Sequence, residues 1–193
     1  MENPSKILRN FVKSKIIDIV FSRDEAYVRA SLARLRRGIG KPPGSIPDIW
    51  EHTLGNLPEE FFSKRNPVEA TNAEWAIHIA MSLFALHQQG KNPQNDCMAF
   101  GKPLGKAVRL LVLKRGEAMK RRFDAVVTSG GIDELSHHLC ALIQLLKSEG
   151  ISLDYPQLTE DLFRFQQPEL RGNLRLQWGQ DYYKIIKGEI NEQ

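Results

Sequence analysis

The sequence holds only two cysteines, Cys97 and Cys140, in 193 residues. Neither has companions at metal-ligand spacing, and so sparse a pair makes no disulfide framework, so a reducing cytoplasm is the expected setting. No apolar run approaches the roughly 20 residues needed to span a bilayer. The opening "MENPSKILRNFVKSKIIDIV" also lacks an apolar signal core, which leaves a soluble, cytoplasmic chain as the expectation. Sustained two-residue alternation is missing as well, and with it the signature of half-buried strands.

Recognisable catalytic motifs are equally scarce. "GIGKPPGS" and "GKPLGKA" resemble phosphate loops at first sight. A Walker loop needs a glycine five residues before its Gly-Lys pair and a hydroxyl after it, because backbone N–H groups cradle the phosphates and the hydroxyl holds the metal. Gly40-Lys41 has Leu35 and Pro42 in those places, and Gly105-Lys106 has Phe100 and Ala107, so nucleotide hydrolysis is excluded. The five histidines His52, His78, His87, His137 and His138 form no H-E-x-x-H pair. His137 and His138 are adjacent and diverge by about 100° on a helix, so they cannot chelate together. His78 and His87 read as core or boundary residues. The sequential carboxylates Asp24-Glu25, Glu59-Glu60 and Glu160-Asp161 lie at or near helix starts, where capping and the helix dipole account for them. No active site, metal or cofactor is indicated, and the chain is read as a non-enzyme.

What the sequence does contain is helical periodicity. Val28, Leu32, Leu35 and Ile39 repeat on one helix face. "TNAEWAIHIAMSLFALHQQG" starts at a Thr71 or Asn72 cap and is apolar nearly all round, which predicts a buried helix. Leu135, Leu139, Leu142, Ile143 and Leu146 form a third stripe that stops at Gly150; Leu174, Trp178, Tyr182 and Ile185 form a fourth. A shorter helix opens around Pro156, where a missing N–H costs nothing. The expectation is an all-α protein of about eight helices in two small bundles, 1–115 and 116–193, with the boundary only loosely placed. Trp50, Phe123, Trp178 and Tyr182 are expected in the core.

Charge is segregated along the chain. Residues 1–50 hold 10 Lys/Arg against 5 Asp/Glu, and residues 91–130 hold 9 against 3, whereas residues 51–90 and 131–193 are net acidic. If the basic blocks meet in space they make one positive face suited to phosphate backbones; otherwise they are separate solvated surfaces. On the first helix, Arg29, Arg34, Arg36 and Arg37 all avoid the apolar stripe. A helix dipole is served by one or two cations, and the guanidinium fork suits phosphate. Lys120 and Arg121 likewise point away from the stripe of Met119, Phe123 and Val126. Lys102, Lys106, Arg109, Lys114 and Arg115 come just before them. The candidate nucleic-acid-binding residues are Arg34, Arg36, Arg37, Lys102, Lys106, Lys120 and Arg121, with Arg171 and Arg175 as further candidates. Few aromatics accompany these blocks, which favours backbone tracking over base stacking.

Five segments occur in a set order: "RLRRGIGKPPGSIPDIW" (34–50), "ALHQQG" (85–90), "RRFDAVVTS" (121–129), "HHLCALIQLLKSEGISLDYPQLTEDL" (137–162) and "LRLQWGQDYY" (174–183). Together they resemble the CasB family, the small subunit of the type I-E CRISPR surveillance complex called Cascade. The likeness runs from about residue 25 to 186 and leaves residues 1–24 as a basic helix with no assigned role. It implies an all-α, non-enzymatic subunit present in two copies, lying along the guide RNA–target DNA hybrid. It also implies contacts with the large subunit and the repeating backbone subunits, and a positive groove that holds the displaced single-stranded DNA and so stabilises the R-loop. The alternative is a purely structural bridge whose charges meet protein.

Overall fold

The structure, a computed structural model, describes residues 3–66 and 68–184. Among these residues there are nine α-helices and two short 3-10 turns, with two isolated bridge pairs and no strand. The fold is all-α, as the periodicity predicts.

Helix α1 (Pro4–Val20) begins where the Asn3 side chain accepts from the Ser5 amide. Its Leu8, Val12, Ile16 and Ile19 are fully buried. Helix α1 packs along α8 (Tyr155–Phe165) and touches α2 (Glu25–Arg36) and α4 (Asn72–His87). The Asp24 carboxylate caps α2, accepting from the amides of Ala26 and Tyr27 at 2.9 and 3.0 Å. Val28, Leu32 and Leu35 face inward as expected; Ile39, past the helix end, is half-buried.

A 3-10 turn, Pro47–Ile49, leads into the four-residue helix α3 (Trp50–Thr53). Here the structure corrects one expectation. Trp50 is 42% exposed, because this short helix turns His52 and Thr53 inward and leaves the indole outside. After a second 3-10 turn, Glu59–Phe61, a reciprocal capping box between Thr71 and Glu74 starts α4. That helix is buried almost all round, as its composition predicts.

The remaining helices are α5 (Leu104–Arg115), α6 (Ala118–Thr128), α7 (Ile132–Ser148), α8 (Tyr155–Phe165) and α9 (Pro168–Tyr183). Asp154 caps α8, with Pro156 in the first turn, and the predicted α7 stripe is wholly buried. Ile185 of the predicted α9 stripe lies outside the described residues; Leu174, Trp178 and Tyr182 are buried. Helix α8 sits at the centre, against α1, α4 and α9, while α5 packs on α9, α6 and α7. One connected hydrophobic core draws on every helix except the short α3, from both sides of residue 115.

Two of the glycines in "GKPLGKA" are required by this packing. A Cβ on Gly105 would overlap the backbone of α9 at Trp178 and Tyr182, and one on Gly101 would overlap Ser152. The motif is a close-approach device, Gly105 between α5 and α9 and Gly101 against the segment before α8.

Two hydrogen-bonded polar clusters are held inside. His87 Nδ1 lies 3.0 Å from the Tyr155 hydroxyl, which in turn donates to the Leu83 carbonyl at 3.1 Å. Trp178 Nε1 donates to Asp161 at 2.8 Å, and Gln157 to the other Asp161 oxygen at 2.9 Å. Burial lowers His87 from 6.5 to about 4, so it is neutral in the fold. Burial raises Asp161 from 3.8 to about 6, against the pull of its Trp178 and Gln157 donors.

Three expectations follow from this interior. Because the folded state resists protonating His87, its contribution is complete above pH 6.5 and is lost as pH falls toward 4, on the order of 3 kcal/mol. Asp161 acts in the opposite sense, its contribution being present below about pH 3.8 and lost as pH rises through 6. His52 and His78, both lowered by burial, add to the acid sensitivity. The thermal midpoint should fall on acidification below pH 6.5, less steeply in His87→Gln, and an equally steep profile in that variant would refute the assignment. Gly105→Ala should lower stability by about 1–3 kcal/mol by forcing α5 off α9, measurable by urea unfolding.

Candidate nucleic-acid interface

The predicted cations fall into two sets once their partners are known. Arg37 forms an ion pair with Asp48 across the turn that follows α2. Lys120 pairs with Asp124 one turn on, at 2.9 Å. Arg171 donates to the carbonyls of Phe165 and Gly130, both at 2.9 Å, and lies over the Phe165 ring. Arg175 donates to the Ser129 carbonyl at 2.8 Å. The last two arginines therefore tie α9 to the end of α6, where carbonyls have no intrahelical partner and a cation complements the dipole.

Arg34, Arg36, Lys102, Lys106 and Arg121 differ. None has an ion-pair or hydrogen-bond partner for its side chain among the described residues, and Arg34, Lys102 and Arg121 are exposed. Arg36 and Lys106 are half-buried, with stems lying on the protein. Of the neighbouring cations, Arg109 sits over the Tyr182 ring, and Lys114 and Arg115 both engage Glu149.

Helix α2 packs on α4 and α1, whereas α6 packs on α5 and α7, so the two basic segments ride on different neighbours. The tertiary structure gathers other cations around α2 instead. The Lys147 ammonium of α7 is held below its ordinary value by partial burial and then by the charge of Arg36. His52 is lowered first by burial, with Lys15 of α1 and Arg34 adding to the effect. Lys15 and Lys147 belong to separate sequence blocks, and spacing along the chain gives no hint of either meeting.

Lys102 is placed by a short paired segment. Residues 98–102 run beside 153–155, with Leu153 N to Met98 O at 3.1 Å, Gly101 N to Leu153 O at 3.2 Å and Asp154 N to Lys102 O at 2.9 Å. These bonds fix Phe100, Gly101 and Lys102 at the surface beside α1. Sequence reasoning gave α1 no role, and the signal available was its buried stripe at Leu8, Val12, Ile16 and Ile19. Among the described residues, no group of three or more His, Cys, Asp or Glu could hold a metal ion, and no helix is long and apolar enough to cross a membrane.

The arrangement is similar to that of known proteins. The sequence model described as CRISPR-associated protein Cse2 matches residues 31–183. The crystal structure of CasB from Thermobifida fusca is 30% identical and superposes with a TM-score of 0.72, covering 92% of this chain and 98% of that one. CasB from Thermus thermophilus is 20% identical with a TM-score of 0.65, covering 94% and 99% of the two chains. M. ruber CasB, also 20% identical, gives a TM-score of 0.64 and covers 90% and 92%. At 20% identity the likeness concerns the fold. No curated protein sequence matches.

The two sets of cations separate by stability. Arg175→Ala removes a charged hydrogen bond to a helix end and should cost about 1–3 kcal/mol, a drop of several degrees in thermal midpoint. Arg121→Ala should change it by no more than about 0.5 kcal/mol. Equal effects in differential scanning calorimetry would show that the partners do not distinguish the two sets.

Proposed function

The chain belongs to the CRISPR-associated Cse2 family, and from that premise we propose that it is the non-catalytic small subunit of a type I-E CRISPR surveillance complex. In this role it binds nucleic acid without sequence specificity and stabilises the R-loop, in particular the displaced strand. Its partners are the large subunit, the backbone subunits, a second copy of itself, and the guide RNA–target DNA hybrid with the displaced single strand.

One observation carries the nucleic-acid part of the reading. Arg34, Arg36, Lys102, Lys106 and Arg121 have side chains without ion-pair partners among the described residues, while Arg37, Arg115 and Lys120 are paired. An unpaired guanidinium or ammonium keeps its donors and charge for a phosphate, and no base edge need be read. The energetic demand is small. Strand exchange in an R-loop is nearly balanced, so a few backbone contacts are enough to tip it.

A purely structural bridging role is supported by a different observation. Arg37, Lys120, Arg171 and Arg175 have internal partners that account for them without nucleic acid.

Binding to single-stranded DNA should be weak, length-dependent and indifferent to sequence. With about five phosphate contacts, affinity should fall roughly 100-fold for a fourfold rise in salt, measured by gel shift or fluorescence anisotropy. Charge reversal at Arg34, Arg36 and Arg121 should shorten the lifetime of an R-loop on the assembled complex. An unchanged lifetime would favour the bridging role.

A further inference from the structure

Beside α1 lies an open groove with a cavity volume of about 460 Å³, lined by Lys6, Arg9, Asn10 and Lys13 on one side and Phe100, Gly101 and Asp154 on the other. We propose that this groove is a second single-stranded nucleic-acid contact, in which Lys6 and Lys13 hold phosphates about three nucleotides apart and Phe100 stacks on a base. The assignment rests on the nucleic-acid reading above and adds Lys6 and Lys13, which lie outside the 31–183 segment matched to the family.

The argument begins with α1. Lys6, Arg9, Asn10 and Lys13 stand at i, i+3, i+4 and i+7, so they share one face of the helix. The opposite face is the buried stripe of Leu8, Val12, Ile16 and Ile19. Core packing therefore fixes which way the basic face points. Lys6 and Lys13 are exposed, without partners among the described residues. They are about 10 Å apart along the helix axis, close to the rise of three phosphates on a stacked strand.

Acidic residues near the groove are already engaged. Arg9 lies 3.3 Å from Asp154 and 3.7 Å from Glu160. Asp154 also caps α8 through the Gln157 amide at 2.8 Å, and Glu160 accepts from the Ser5 hydroxyl at 3.0 Å. Arg9 is thus the structural cation that offsets those carboxylates, and Lys6 and Lys13 keep their charge for a ligand. Lys102, already a candidate phosphate contact, follows Phe100 by two residues and extends the positive edge.

Phe100 selects the ligand class. It is 42% exposed, yet the hydrogen bonds of residues 99, 101 and 102 to the 153–155 segment hold its backbone in place. A rigidly mounted ring beside unpaired ammonium groups is the combination that binds single strands, phosphate to cation and base to ring. An acidic peptide would use the cations and leave the ring without a partner.

The test uses the full-length chain and a fluorescent oligothymidine of ~15 nucleotides, beside an abasic strand of the same length and charge. Lys6→Glu/Lys13→Glu should weaken oligothymidine binding at least tenfold and lower the salt slope by about one to two contacts. Lys64→Glu, on an exposed loop elsewhere, serves as the charge control. Phe100→Ala should cost roughly 5- to 100-fold on oligothymidine and nothing on the abasic strand. Ultraviolet cross-linking should place thymidine on a peptide that contains Phe100. Circular dichroism of each variant establishes that it is folded. Three outcomes overturn the proposal. If the parent protein binds no strand, the groove and the nucleic-acid reading fall together. If charge reversal at Arg34 and Arg121 weakens binding but the groove variants do not, the groove alone falls. If polyglutamate of equal charge displaces oligothymidine as well as another strand does, or Phe100→Ala weakens both strands alike, stacking is refuted.

Discussion

Tyr155 holds together the parts on which the rest of the molecule depends. Its ring is fully buried against Phe84, and its hydroxyl bonds to His87 and to the Leu83 carbonyl, both on α4. Its amide donates to Ala99 at 3.0 Å, which anchors the 98–102 segment. One residue thus fixes the central helix α8 to the buried helix α4 and sets the stretch that carries Phe100 and Lys102 at the surface. An unpaired polar group in such an interior costs about 1–3 kcal/mol, so the partners come as a set or not at all.

A second constraint joins α8 to α9 and α9 to α5. Asp161 and Trp178 meet inside, where the carboxylate is tolerated because two donors hold it, and Gly105 lets α5 approach the backbone of α9. With α8, α9 and α5 fixed in this way, the basic residues on their outer sides have little freedom of position. Arg171 and Arg175 are drawn into the same framework, bonding to the carbonyls that end α6. Their charge serves the fold first, and the surface cations that remain are those the framework does not use.

Much of this was legible in the chain. The start of α4 at Thr71 or Asn72, the stripe of α7, the all-round burial of α4 and the absence of strands follow from period, caps and composition. These are local properties, and a helix face is decided by residues within a few turns of one another. The family resemblance also rests on local segments in order. Trp50 shows the limit, since a four-residue helix between turns has too few positions for periodicity to fix its inward face.

By itself, the sequence determined which segments are helical, which face of each is apolar, and that its basic residues occupy two blocks. Only the tertiary structure decided which cations are free for a ligand. That choice turns on partners far away in the chain, such as Arg9 with Asp154, Arg115 with Glu149 and Arg175 with Ser129. It also turned α1 from a basic helix with no assigned role into a wall of the core whose outer face borders Phe100. The physical reason is range. Helix formation and capping act over a few residues, whereas ion pairing and the shape of a groove depend on contacts that exist only after the chain has folded.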